Sequence, residues 1–145
     1  MAITPAATTK DLRMVYRDSA HIVGGKATAN TTIYAGTLVN RTSSTGLLVD
    51  GGDTASTTFA GVSRTHIIAV NDGATPIVEL FQSGDFLFKL NSGTIDEGDV
   101  GTEVEVADNN SFDVAGATSN HVKCGKIVEF ADSTHAYIRI DGYAF

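Results

Sequence analysis

The sequence predicts an all-β fold: a compact β-sandwich or β-barrel (tulip-like) body with an extended N-terminal arm. Three observations lead there. Several short segments alternate apolar and polar residues with period two, which puts alternate side chains on opposite faces of a sheet. Clusters of Gly, Asn, Asp and Ser separate these segments roughly every 8–15 residues, the spacing of turns in sandwiches and barrels. No stretch carries the 3.6-residue periodicity of a long helix.

Taken in order, Met1–Thr9 is rich in Ala, Thr and Pro and suits an extended arm. Asp11–Tyr16 carries Leu12, Met14 and Tyr16 on one strand face, which suggests that the arm is tied down on its own body or on a partner. In Pro76–Gln82, Val78 and Leu80 oppose Ile77, Glu79 and Phe81. In Asp85–Leu90, Phe86, Phe88 and Leu90 oppose Leu87 and Lys89. Glu103–Val106 reads Glu-Val-Glu-Val, and in His135–Asp141 Ile138 and Ile140 oppose Tyr137 and Arg139. Turns are expected at Ser43–Gly46, Asp50–Asp53, Asn71–Gly73, Asn91–Gly93, Asp108–Asn110 and Ala131–Ser133. Only Thr9–Tyr16 and Asp96–Gly101 suit a helical turn. This divides the chain into an arm and first strand over residues 1–32 and a β-rich body over 33–145. A weak internal echo relates Gly36, Gly46–Val49 and Phe59–Val62 to Gly98, Ser111–Val114 and Gly125–Val128, which suggests two similar β units, 33–90 and 95–145.

The 145 residues suffice for one ordinary domain that needs no metal or disulfide to fold. The single Cys, Cys124, excludes an internal disulfide and a Cys-based zinc cluster. No apolar run approaches the roughly 20 residues of a membrane-spanning helix. No apolar stretch follows Met1, so no secretory signal is expected. The net charge of −7 argues against a duplex-binding surface. That charge is polarised: residues 1–49 sum to +3 and residues 50–145 to −10. A basic N-terminal segment suits contact with an acidic neighbour, and Lys10, Arg13, Tyr16 and Arg17 are the candidate contact residues.

Motifs that carry chemistry are incomplete. Ala60–Arg64 lacks the second Gly of a nucleophile elbow. Gly24-Gly25-Lys26 has Ala at positions 20 and 27, where a phosphate loop needs its first Gly and its hydroxyl. His21, His66, His121 and His135 show no metal-ligand spacing and are expected at the surface or at strand edges. Asp96, Glu97, Asp99, Glu103 and Glu105 offer oxygens for calcium, with Asp108–Asn110 nearby, but do not match a calcium loop. They read as a solvated turn and an outward strand face. Cys124 reads as a small buried hydrophobe despite Lys123 and Lys126 beside it. Phe86 and Phe88 read as core, because no Arg flanks them as in a single-strand binder. Tyr143 and Phe145 are expected to cover a barrel end or to enter a neighbour's groove. No catalytic, metal or cofactor site is expected.

From about Ile33 to Gly142 the layout resembles the capsid cement, or head decoration, proteins of tailed phages. The resemblance is carried by Ala35–Val39, Gly46–Val49, Phe59–Val62, Gly84–Leu90, Gly98–Val104, Cys124–Val128 and Ala136–Ile140. Here Gly36-Thr37 replaces the family's first Gly-Asp, and Gly125-Lys126-Ile127 its second Gly-Val. The resemblance implies a homotrimer that binds the major capsid protein on the outer surface of the phage head, after synthesis in the bacterial cytoplasm. It implies no enzymatic activity, cofactor, nucleic acid or membrane. The alternative is a tail-associated β module that binds a receptor or glycan.

Overall fold

The computed structural model describes residues 7–8, 11–12, 16–17, 22–68 and 76–141. The fold is all-β, with two sheets. The described strands are β1 (Tyr16–Arg17), β2 (Ile22–Lys26), β3 (Leu38–Thr42), β4 (Leu48–Asp50), β5 (Thr57–Ser63), β6 (Ile77–Phe81), β7 (Ser83–Leu90), β8 (Glu103–Asp108), β9 (Ser111–Val114), β10 (Lys123–Asp132) and β11 (His135–Asp141). The expected helical turn at 96–101 forms as a single 3₁₀ turn, Glu97–Asp99.

One sheet has the order β2-β6-β5-β3-β4 and is antiparallel throughout. A parallel bridge between Ala27 and Leu48 draws its two outer strands together. The other sheet runs β1-β7-β11-β10-β8-β9. In it, Lys89 and Leu90 of β7 pair in parallel with Ser111 and Phe112 of β9. That pairing closes β7, β11, β10, β8 and β9 into a five-stranded barrel, which removes the edges an open sheet would expose. Gln82 alone joins β6 to β7, so the chain passes from one sheet to the other within a single residue.

Two apolar clusters follow from strand parity. The larger holds the barrel interior, including Phe86, Phe88, Val104, Val106, Phe112 and Ile138, together with Leu38, Phe59, Val62 and Phe81 of the first sheet. The smaller holds Ala27, Ile33, Val39, Leu48, Ala60, Val78 and Leu80. Strands β3 and β5 therefore bury residues on both faces, one against the barrel and one inside the first sheet's own curl, whereas in β6 the face opposite Val78 and Leu80 buries only Phe81 and leaves Ile77 and Glu79 exposed. A bulge in β5 makes this possible. Val39 pairs with Gly61 and Asn40 with Phe59, so Ala60 is the extra residue, and Phe59 and Val62 both reach the larger cluster. Gly61 sits there at φ 156°, and any Cβ would run into the Phe81 carbonyl. Each large side chain buried this way contributes roughly 1.5–3 kcal/mol.

The tip of the β8–β9 hairpin plugs into the first sheet. Leu38 N donates to Asn109 O at 2.8 Å, and Gly52 bridges to Asp108. The turns expected at 43–46 and 91–93 fall between strands, those at 50–53 and 108–110 start on the last residue of β4 and of β8, and that at 131–133 overlaps the end of β10, which runs to Asp132; Asn71–Gly73 lies outside the described residues.

Candidate interaction surface

Of the four candidate contact residues, Lys10 and Arg13 lie outside the described residues. Tyr16 and Arg17 form β1, where they pair antiparallel with Phe86 and Asp85 of β7. β1 thus extends the pairing of β7 ahead of the point where β9 joins it. On the far side of β7, Arg139 of β11 grips Asp85 with two parallel bonds, Nε to Oδ1 at 2.8 Å and Nη2 to Oδ2 at 3.0 Å. Register therefore places Arg17 and Arg139 on either flank of the buried Asp85.

The rest of the described N-terminal segment is docked through backbone groups. Leu12 N donates to Ala35 O at 2.7 Å, and Ala35 N donates to Asp11 Oδ1 at 2.8 Å. Asp11 Oδ2 lies 3.2 Å from His66 Nδ1, and the His66 ring leans on Tyr34. Gly36, at φ 82°, takes the Leu12 backbone against its Cα, where a side chain would collide. Further back, Thr8 N donates to Asn109 Oδ1 at 3.0 Å, and Asn109 Nδ2 donates to Thr8 O at 3.1 Å and to Asp50 Oδ2 at 3.0 Å. Asn109 is fully buried, and while Nδ2 also has Asp50, its Oδ1 takes its bond from Thr8 N.

A second organised region is the loop 115–121. Glu105, 1% exposed, accepts from Gly116 N at 3.1 Å, Thr118 Oγ1 at 2.8 Å and, more loosely, Thr118 N, with His121 Nδ1 3.1 Å from its other oxygen. Burial alone would raise the Glu105 carboxyl. These donors more than offset it and hold the group below the ordinary Glu range. Asp53 accepts from Ser119 N and Asn120 N at 2.9 and 2.8 Å. It too ends below its usual value, because those amides and Asn120's side chain outweigh its desolvation. Two carboxylates thus hold one exposed loop by its backbone. The outward strand face expected for Glu103 and Glu105 is correct only in direction: parity turns both away from Val104 and Val106, but this loop covers Glu105. Beside it, Thr57, Thr58, Phe59, His121, Val122 and Lys123 line a shallow hollow of about 230 Å³.

The remaining candidates have local roles. Asp96 Oδ1 accepts from Gly98 N, and Asp99 Oδ2 accepts from Asp96 N, so these carboxylates cap their own 3₁₀ turn. Among the described residues no group of three or more His, Cys, Asp and Glu is placed to hold a metal ion. His135 Nδ1 faces both Asp132 Oδ1 and Thr134 Oγ1. A proton relay needs the orienting carboxylate and the nucleophile on different ring nitrogens, so this is a turn cap. Burial pushes the Cys124 thiol up to about 12, which keeps it protonated. No helix among the described residues is long and apolar enough to cross a membrane. His21, Tyr143 and Phe145 lie outside the described residues. Sequence reasoning missed Asp11, Asp50, Asp53, Asn109 and the burial of Glu105, since each acts on a segment distant in sequence. Neither the models of known protein families nor the curated proteins compared with this chain match it.

Proposed function

We propose that the chain is a structural cement, or decoration, protein of a tailed-phage capsid, which binds the outer face of the head as a homotrimer and bridges subunits of the major capsid protein. The observation that carries the reading is the N-terminal segment. Thr8, Leu12 and Tyr16–Arg17 meet the body through backbone groups and strand pairing, the chemistry by which an arm and a sheet edge recognise each other. Lys10, Arg13, Tyr16 and Arg17 are the proposed contacts to the lattice or to a neighbouring copy.

The physics of such a role is simple. A head under internal pressure opens where its subunits meet. A protein that binds across several closed subunits adds its binding free energy only to the closed state. Attachment at three points multiplies modest single-site affinities. The rigid body supports this reading: a closed barrel clamped to a second sheet loses little conformational entropy on binding. The test is sedimentation of the purified chain with empty capsids of the phage that encodes it. Saturable co-sedimentation near one trimer per local threefold is expected. Binding to host cells or glycans without binding to capsids favours the tail-associated module instead.

A further inference from the structure

We propose that the loop 115–121 is a docking surface for an arginine-bearing segment of a partner protein, whose guanidinium groups donate to the loop's outward carbonyls. The inference does not rest on the capsid reading.

The loop turns its donors inward. Gly116 N and Thr118 N face Glu105 Oε1 at 3.1 and 3.4 Å, and Ser119 N and Asn120 N face the Asp53 carboxylate at 2.9 and 2.8 Å. His121 N donates to Thr118 Oγ1 at 3.2 Å. A trans peptide unit is planar, so its C=O runs antiparallel to the N–H that follows it. Each inward N–H therefore turns the preceding carbonyl outward: those of Ala115, Ala117, Thr118, Ser119 and Asn120. No donor among the described residues bonds to any of these carbonyls. Ala115, Ala117, Ser119 and Asn120 are exposed and carry short side chains, which leaves the oxygens open to a partner. The loop ends on His121 at φ 53°, a conformation that persists in a residue other than Gly only where its surroundings hold it.

The field at this surface is negative. The carbonyl dipoles point their oxygens at solvent above two carboxylates. Burial raises both carboxyls, and the loop's donors outweigh it and keep them ionised. Glu105 is buried, so salt screens it little. Neighbouring cations are engaged or conditional. Lys123 lies 3.4 Å from Glu103, Arg41 donates to Gly46 O, and His121 is charged only when protonated.

The arrangement selects the kind of cation. Because the N–H groups converge inward, the carbonyls diverge, and divergent oxygens do not gather around one metal ion as a calcium loop's do. A guanidinium offers several donors in a fixed fork and can bond separated acceptors at once. Its apolar stem suits the adjoining hollow, whose lining includes Phe59 and Val122.

The experiment follows the amide NMR signals of the full chain while the peptide acetyl-Gly-Arg-Gly-Arg-Gly-amide is added, and repeats the titration with Lys in place of Arg. Saturable shifts are expected at Gly116, Thr118, Ser119, Asn120 and His121, with the Lys peptide about tenfold weaker. Ser119→Arg sets a competing cation on the loop at an exposed side chain. It is expected to weaken the Arg peptide about tenfold and to leave urea unfolding unchanged. Asp53→Asn, which releases the amides of Ser119 and Asn120, is expected to weaken it as much. Should Asp53→Asn not fold, Ser119→Arg decides. The proposal is overturned by an absence of saturable shifts, or by shifts centred on the exposed turn Asp96–Asp99 in place of the loop. Equal binding of the two peptides overturns it too, as does a Ser119→Arg chain that binds as the parent does.

Discussion

Glu105 lies on a strand whose pattern, Glu-Val-Glu-Val, gives its direction but not its surroundings. Parity turns it away from the barrel interior, and the loop 115–121 then closes over it with backbone and hydroxyl donors. Nothing in the residues of β8 announces a covering loop, so the burial was not legible in the sequence. Its consequence is testable. Glu105→Gln places an NH₂ group among donors and should cost about 2 kcal/mol at pH 7 by urea unfolding. The native carboxyl sits below its ordinary value of 4.5. The stability it contributes is therefore fully present above that value and is lost as pH falls through the native one. The gap between parent and variant should narrow by pH 3. Cys124 supplies a second prediction at this scale. With its thiol buried and pushed up to about 12, it should react with a disulfide reagent at pH 8 only after denaturant unfolds the chain. Prompt native labelling would contradict its placement in the core.

Among the elements, those with clean alternation were the legible ones. β6, β7 and β11 bury the residues that period two assigns, Val78 and Leu80, Phe86, Phe88 and Leu90, Ile138 and Ile140. Sheet membership was not legible, because alternation states which side a residue faces and not which strand lies beside it. β7 follows β6 after one residue yet pairs with β11, β9 and β1. The bulge at Ala60–Gly61 was hidden as well, since a bulge breaks the parity on which the reading depends. Glycines test the element scale well. Gly125 pairs with both Val104 and Ile140, and a Cβ there would meet the Arg139 carbonyl. Gly125→Ala should therefore strain the β10–β11 pair and cost about 3 kcal/mol or more in unfolding free energy. Gly46 has open space around it but a φ of 72°. Gly46→Ala should cost only about 1–2 kcal/mol, the left-handed penalty for an L-residue. Equal losses would mean that close strand packing at Gly125 is not what excludes a side chain.

For the molecule as a whole, the polarity of charge was readable from the sequence, and the docking of the N-terminal segment was not. Thr8 and Asn109 are 101 residues apart, a separation that no local pattern spans. Removing residues 1–17 should leave two sheets that still fold, because the buried members of both apolar clusters among the described residues, and Val23 packed beside them, all follow residue 17. Unfolding should show a modest loss of stability from the stranded Asn109 amide, and capsid binding should fall sharply. A truncated chain that binds capsids as well as the full one would remove the arm from the mechanism. The central claim, that this polypeptide acts by clamping other proteins together, is met most directly by a cryo-EM reconstruction of the phage head. The account predicts density for the two-sheet body on the outer shell, straddling adjacent capsid subunits, with its N-terminal strand in contact with one of them. A head whose outer surface carries no such density would contradict it.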